Sequence, residues 1–473
     1  MSTEQTFDVI VIGAGSTGEN VADIVVRGGL TAALVESELV GGECSYWACM
    51  PSKALLRGTE VLEEARAVSG AAAAVTGEQD VRATLDRRNS FTSNWDDSGQ
   101  AQWVDGAGIT LVRGEGRLDG EKRVVVRASD GTETVLLATH AVAVCTGSAA
   151  AVPPLEGIDS VDVWTAREAT SAQEAPGRLV ILGGGVVGVE MATAWSALGS
   201  QVTLLQRGDR LLAGQEPEAG DLVAESLRGR GVDVRLGTSV SAVRQDGADV
   251  VVVTGAGEVR GDRFLVAAGR RARTEGIGVE TVGLTAGEYL DVDDSLRVRG
   301  VDWLYGIGDV NGRRLLTHMG KYQARQGGAA IVARAKGDQV SLADWSPFVA
   351  TADTAATPQV TFSIPQVASV GITAAQAEER GLPHTVVRYE LGSVAGSALF
   401  ADGYTGTAVA VVDTGRDVLL GVTFVGPGVS EMLQAATIAV VGEVPISRLW
   451  HAVPAYPTMN EVWLRLLETL RDQ

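Results

Sequence analysis

The sequence predicts an α/β protein with two dinucleotide-binding units followed by a smaller unit of α+β character. Three observations carry this. A short apolar run, Phe7 to Ile12, leads directly into Gly13-Ala14-Gly15-Ser16-Thr17-Gly18 and a helix-like segment. The pattern returns at Leu179 to Leu182 followed by Gly183-Gly184-Gly185-Val186-Val187-Gly188. Beyond about Trp345 the chain changes to short strands separated by turns, with helices between them.

The bulk properties agree. A chain of 473 residues has length for two or three domains, and 45% hydrophobic residues with 59 glycines suit an α/β protein rich in tight turns. A formal net charge of −20 argues against a nucleic-acid or anionic-membrane partner, since both require a basic face. The N-terminus, MSTEQTFDV, has no basic stretch, and no apolar run approaches the roughly 18 to 20 residues of a membrane span. A cytoplasmic protein with no membrane span and no metal site is expected.

The first apolar run reads as a buried strand, and a second, Thr31 to Val35, ends in Glu36. Gly13, Gly15 and Gly18 let backbone approach a pyrophosphate at a helix N-terminus, while an acid about 20 residues on accepts from a ribose hydroxyl. Gly41-Gly42-Glu43-Cys44-Ser45-Tyr46-Trp47-Ala48-Cys49-Met50-Pro51-Ser52-Lys53 follows, and it holds two of the three cysteines. Pro51 and the Ala/Leu-rich run after it predict a helix starting near Cys49. Residues five apart on an ideal helix have Cα atoms roughly 8 to 9 Å apart, too far for a disulfide, so a bridge needs an irregular first turn. Such a bridge is of the exchangeable, catalytic kind, and a helix N-terminus favours the thiolate. Two inert core thiols are the alternative; a zinc site is disfavoured by the spacing and the lack of a nearby histidine. Lys53 is one of only four lysines, with Lys122, Lys321 and Lys336, which makes its place beside the pair notable.

Ala54 to Ala67 reads as helix, and Ser69 to Ser98 also as helical. Val112 to Leu118, Arg123 to Val126, Thr134 to Leu137 and Ala141 to Val144 read as strands, the last running into Cys145-Thr146-Gly147-Ser148; Cys145 is expected to be an inert core residue. Pro153-Pro154 marks a linker. In the second unit, Gln201 to Leu205 ends in Gln206-Arg207 where the first has Glu36. Loss of the acid and the presence of Arg207 and Arg210 favour NADPH over NADH, unless these arginines only solvate a turn. Phe264 to Val266 closes this unit before Gly269-Arg270, and Trp303 to Asp309 reads as a strand with an aspartate at its carboxyl end. Gln359 to Phe362, Gly406 to Val412 and Leu419 to Phe424 are expected strands, the last two antiparallel. Helices are expected at Ala374 to Arg380, Glu431 to Val441 and through Leu470.

These motifs together, GAGSTG, GGECSYWACMPSK, CTGS, GGGVVGVE, AAGRR, GIGDV and YPTMNE, resemble the class I FAD-dependent pyridine nucleotide-disulfide oxidoreductases, among them dihydrolipoamide dehydrogenase and mercuric reductase. The resemblance runs essentially end to end. It implies two Rossmann-like domains, FAD-binding over 1–150 completed by 275–342 and NAD(P)-binding over 151–274, and a dimerisation domain over 343–473 that makes a homodimer. It implies FAD held by Gly13, Gly15, Gly18, Glu36, Gly42, Lys53, Gly116, Thr146, Gly147, Asp309 and the stretch Leu315, Leu316, Thr317, His318. NAD(P)H falls to Gly183, Gly185, Gly188, Gln206, Arg207 and Gly269. Cys49 takes the charge-transfer role, Cys44 the interchange role, and Lys53 pairs with Glu190 beside the flavin. Hydride passes from nicotinamide to flavin and electrons then pass to the cysteine pair.

Departures from the family pattern qualify the activity. The usual catalytic histidine is replaced by Tyr456, with Glu461 retained, and tyrosine is a poor acid/base at neutral pH. His451 is a candidate substitute, although an ordinary loop histidine is the simpler reading. The chain lacks the C-terminal cysteine pair of mercuric reductase. Glu43 near a pyrophosphate must point away or bind through its backbone, and Val186 replaces the tyrosine gate of glutathione reductase. The expected activity is NADPH-preferring electron transfer through Cys44 and Cys49 to a small-molecule acceptor such as a disulfide, quinone or metal ion. A dihydrolipoamide dehydrogenase-like subunit of a larger complex and a slow flavin redox sensor are the alternatives.

Overall fold

A computed structural model describes residues 3–473, and its contacts divide the chain into two compact units. One gathers the described residues up to 51 with 89–151 and 270–353; the other gathers 52–88, 152–269 and 354–473.

The first unit is built on a sheet in which Thr110–Arg113, Ala32–Glu36, Thr3–Ile12, Glu133–Val144 and Leu304–Gly306 pair in parallel. Residues Val9 to Ile12 and Ala32 to Val35 are all 3% exposed or less, which is why these strands are continuous apolar runs with no polar alternation. Ile12 lies in register with both Val35 and Val144. The three strands therefore end level, and the loops that follow them emerge together at the carboxyl edge, where ligands of parallel sheets bind.

Two predicted strands, Thr134 to Leu137 and Ala141 to Val144, are the halves of one strand, Glu133–Val144. Its first half pairs antiparallel with Arg123–Arg127 and its second pairs parallel with Leu304–Gly306. The stretch expected as one strand from Val112 to Leu118 is instead broken into Thr110–Arg113 and Glu115–Leu118. Gly114 makes the break at φ +146°, where an added Cβ would lie 2.5 Å from the Arg127 carbonyl oxygen. Ser69 to Ser98 is helical at Ser69–Ala72 and Val81–Phe91, with a 3-10 turn at Ser93–Trp95, and Ser98 opens the next helix, Ser98–Gly106.

In the second unit a parallel sheet runs in the order Asp233–Arg235, Gln201–Leu205, Arg178–Leu182, Arg263–Val266, Val163–Trp164. The two parallel sheets with their glycine loops are the Rossmann-like parts of the fold. Val240–Asp246, Asp249–Thr254 and Gly257–Gly261 add an antiparallel meander. The C-terminal sheet is antiparallel, in the order Pro358–Thr361, Gln366–Gly371, Val418–Gly426, Thr407–Asp413, His384–Glu390. Thr407–Asp413 and Val418–Gly426 are the expected antiparallel neighbours; Gln366–Gly371 and His384–Glu390 were not expected. The helix Val462–Arg471 ends the chain and packs its buried Val462, Leu466 and Leu467 into the same core.

Candidate active site

The glycine loop of the first unit is dictated by sterics. Gly13 sits at φ +99°, and an added Cβ there would lie 2.6 Å from the Cys145 carbonyl oxygen. At Gly18 a Cβ would reach 1.9 Å from the Gly13 carbonyl oxygen, whereas at Gly15 it would meet nothing within 4 Å. The loop is thus closed on its inner side and open at its mouth. Gly15 caps the helix Ser16–Arg27 with no side-chain acceptor competing for its first-turn N–H groups. This is a fitting cradle for the diphosphate of a dinucleotide.

Glu36 stands over the loop. Its Oε2 accepts from the Ala14 N–H at 2.8 Å and its Oε1 from the Glu38 N–H at 2.7 Å. Burial pushes its carboxyl upward, against the pull of these two N–H donors. The second loop repeats the arrangement: a Cβ on Gly188 would lie 1.9 Å from the Gly183 carbonyl oxygen, and Gly185 opens onto space at the cap of the helix Val186–Ala197. Gln206 takes the place of the acid, its Oε1 accepting from the Gly184 N–H at 2.9 Å. Arg207 is exposed, and Arg210 is half-buried with its Nε buried and without a hydrogen-bond partner. Gly269, at φ +140°, follows Ala268 at the end of Arg263–Val266.

The cysteines lie on two helices. Cys44 is within the short helix Gly42–Tyr46, the chain leaves helical geometry at Trp47 (φ −138°, ψ 0°), and Cys49 opens the helix Cys49–Arg66. The break supplies the irregular turn that the five-residue spacing demands, and it brings the two side chains, both thiols, into contact. Gly41 and Gly42 tie this segment to the first glycine loop. The Gly41 N–H donates to the Ala14 carbonyl at 2.8 Å, and a Cβ on Gly42, at φ +59°, would lie 2.8 Å from the Gly15 Cα.

Thr317 meets the pair from another element. It is the first residue of the helix Thr317–Ala335, and its Oγ1 lies 3.1 Å from the Cys49 Sγ. The contact with Cys49 and then burial hold the Cys44 thiol well above the ordinary thiol range, while the Thr317 hydroxyl and the Lys321 ammonium pull the other way. Leu315 and Leu316 are half-buried just before this helix and His318 is exposed in its first turn. Glu43 is paired, its Oε1 lying 2.8 Å from the Arg273 Nη2, so its charge is met by a cation that the sequence reading did not connect with it.

Asp309 follows Leu304–Gly306 in the turn Asp309–Asn311. Its Oδ2 accepts from Ser148 Oγ at 2.6 Å, and Ser148 Oγ in turn accepts from Arg270 Nε at 2.6 Å. Burial pushes the Asp309 carboxyl up. Gly147, at φ +74°, has open space at its Cβ position, and Thr146 donates to the Arg273 carbonyl at 2.6 Å. Gly116 faces inward: its Cβ position is 2.8 Å from Val35 Cγ1. Cys145 is buried, and burial raises its thiol.

In the second unit Lys53 Nζ lies 2.7 Å from Glu190 Oε2 and 4.9 Å from the Phe362 ring centroid. Glu190 Oε1 accepts from the Phe362 N–H at 3.0 Å. Tyr456 is 76% exposed. Glu461 is buried and turned to Arg465, with Oε1 to Nη2 at 2.5 Å. His451 is exposed. Among the described residues no helix is long and apolar enough to cross a membrane.

Comparison with known proteins gives the family. The family model described as pyridine nucleotide-disulphide oxidoreductase matches residues 7–337, and that of the family's dimerisation domain matches residues 357–466. Among curated relatives, the mercuric reductase of Streptomyces lividans is 32% identical over 96% of this chain and 94% of its own. The dihydrolipoyl dehydrogenase of Thermus scotoductus is 30% identical over 99% of this chain and 98% of its own. The HOCl-induced flavoprotein disulfide reductase RclA of Escherichia coli, solved as a Cu(II) complex, superposes with a TM-score of 0.84 over 98% of this chain and 99% of its own at 24% identity. With both family models matched across its length, the chain belongs to the pyridine nucleotide-disulphide oxidoreductases, and it is an FAD-dependent flavoenzyme with NAD(P)H as electron donor.

Proposed function

We propose that this enzyme takes electrons from NADPH in preference to NADH and passes them through Cys44 and Cys49 to a small-molecule acceptor that needs no dedicated acid/base: a quinone, a metal ion or an unusual disulfide. Residues 1–150 with 275–342 are assigned to FAD, 151–274 to the nicotinamide nucleotide, and 343–473 to a homodimer interface. Bound FAD supplies two-electron transfer between a nicotinamide and a disulfide.

The remaining work belongs to side chains. Gly13, Gly15 and Gly18 leave room for the diphosphate, Glu36 takes the ribose end, and Asp309 presents a carboxylate fixed by Ser148. Cys49 carries the charge when the reduced pair loses a proton, and the Thr317 hydroxyl, 3.1 Å from its Sγ, is placed to donate to that thiolate. Cys44 is then the thiol that attacks an acceptor after giving up its proton. Lys53, paired with Glu190, supplies a fixed positive charge. Arg207, which is exposed, and Arg210, whose Nε has no hydrogen-bond partner, are available to a 2′-phosphate.

The Cys49–Thr317 contact is the observation that carries this reading. Its test is anaerobic mixing of the purified enzyme with excess NADPH, and separately NADH, while following the visible spectrum. A long-wavelength charge-transfer band that vanishes in Cys49→Ser is expected; bleaching without such a band sinks the thiol role and directs the search to acceptors of flavin electrons. The reading as a dihydrolipoamide dehydrogenase-like enzyme, alone or in a larger complex, is favoured by the relatives of that name but lacks the histidine at position 456. Activity surviving His451→Ala removes the substitute base from it.

A further inference from the structure

A buried hydrogen-bonded thread runs through the first unit to Asp309. Gln323, on the helix Thr317–Ala335, is fully buried, and its Oε1 accepts from the Gly308 N–H and from Asn311 Nδ2, both at 2.8 Å. Its Nε2 donates to Asp353 Oδ2 at 3.0 Å. The direction of this amide is forced. The Gly308 N–H only donates, so the amide oxygen must face it, and the amide nitrogen must then face an acceptor. Asp353, 1% exposed, is that acceptor, and Arg313 Nε, 3.0 Å from the same Oδ2, keeps charge opposite it. Arg314 adds a second positive charge in range, and Arg313 also holds Asp294 Oδ1 at 3.0 Å through Nη2. Burial nevertheless pushes the Asp353 carboxyl up to about 6.

Gly308 leaves little latitude to the turn. It sits at φ +87° and ψ −154°, pressed against Thr17, whose Oγ1 would lie 2.8 Å from an added Cβ. Its N–H is the last anchor before Asp309 turns to Ser148. We infer that Gln323, oriented by Asp353, is a positioning residue for the cofactor site: it fixes the Gly308–Asn311 turn and so aims Asp309. The inference rests on the reading of Asp309 as a cofactor-binding residue and adds two residues remote from the glycine motifs to that site.

The test exploits the polarity of the amide. Gln323→Glu is isosteric, keeps the acceptor for Gly308 and Asn311, and sets a second carboxylate oxygen against Asp353. Two carboxylates in contact must share a proton, so the variant holds the turn at low pH and releases it as pH rises. Adding Asp353→Asn restores a donor opposite the new carboxylate. FAD titrated into the full-length, flavin-stripped chain is expected to bind Gln323→Glu on the order of tenfold more weakly at pH 9 than at pH 6.5, one charge-assisted contact being at stake. The double variant and the parent chain are expected to show no such pH step. A general packing defect weakens binding at both pH values and is not rescued. Equal loss in single and double variants, or unchanged binding in the single, overturns the inference. Should the parent chain take up no FAD, the functional reading fails separately. Amide exchange over 306–312 then decides the positioning role: faster exchange than the parent at pH 9 in the single variant alone supports it, and unchanged exchange overturns it.

Discussion

Lys53 Nζ and Glu190 Oε2 are 2.7 Å apart, and the two side chains differ sharply in exposure, 35% against 4%. The pair is therefore lopsided: the carboxylate is committed to the interior and the ammonium is not. Lys53→Met strands a buried charge whose remaining donor is the Phe362 N–H, and a loss of about 2–4 kcal/mol is expected. Adding Glu190→Gln is expected to recover more than half of that loss. Urea unfolding of the two variants checks it; equal loss in both means that packing of the lysine stem, and not the charge, is what counts.

Thr317→Val removes the hydroxyl beside Cys49 while keeping its shape. One hydrogen bond to a charged group is worth about 1.5–3 kcal/mol, so alkylation of Cys49 at neutral pH should slow about tenfold or more, its pH profile moving upward. Thr317→Ser should alkylate close to the parent rate. Iodoacetamide rates between pH 6 and 9, with the modified cysteine identified by peptide mapping, give the answer.

Burial pushes the Glu19 carboxyl up to about 7, with Lys321 opposing and Glu36 reinforcing the shift. A carboxyl whose pKa is higher in the folded than in the unfolded chain binds its proton preferentially when folded. Its contribution is thus present below the unfolded value of 4.5 and is lost as pH rises through about 7. Glu19→Gln should flatten the decline in stability between pH 5 and pH 8 by at most about 3 kcal/mol, less the screening due to partial exposure. Denaturation midpoints at the two pH values measure it, and an undiminished decline would falsify the assignment.

Arg207→Ala and Arg210→Ala should each raise KM for NADPH about tenfold with little change for NADH, the cost of one phosphate contact. The half-buried Arg210, with an unpartnered Nε, is expected to show the larger effect. Steady-state kinetics with both nucleotides separates this from a general loss of binding, which would move both.

The parts that were legible in sequence are those in which sterics leave one solution. Gly13 and Gly18 cannot carry a Cβ, and the buried parallel strands show as continuous apolar runs. The Cys44–Cys49 spacing announced an irregular turn, and Trp47 supplies it. What stayed hidden depends on residues distant in sequence. Thr317 meets Cys49 across 268 positions, Arg273 meets Glu43 across 230, and Asp353 meets Gln323 across 30, with no periodicity to announce any of them. Gln366–Gly371 escaped notice because Gln, Ala, Ser and Gly dilute its two valines; its place in the sheet is set by pairing with Val418–Gly426.

Glu36 and Gln206 perform the same mechanical task, each holding the second residue of its glycine loop with a single side-chain oxygen. That task never involves the other terminal atom, which is oxygen in one and nitrogen in the other. Loop architecture and electrical sign are consequently independent variables at this position. The loop keeps the same anchor whether the side chain that holds it ends in a charged carboxylate, as at Glu36, or a neutral amide, as at Gln206, so a change of charge here leaves the scaffold intact.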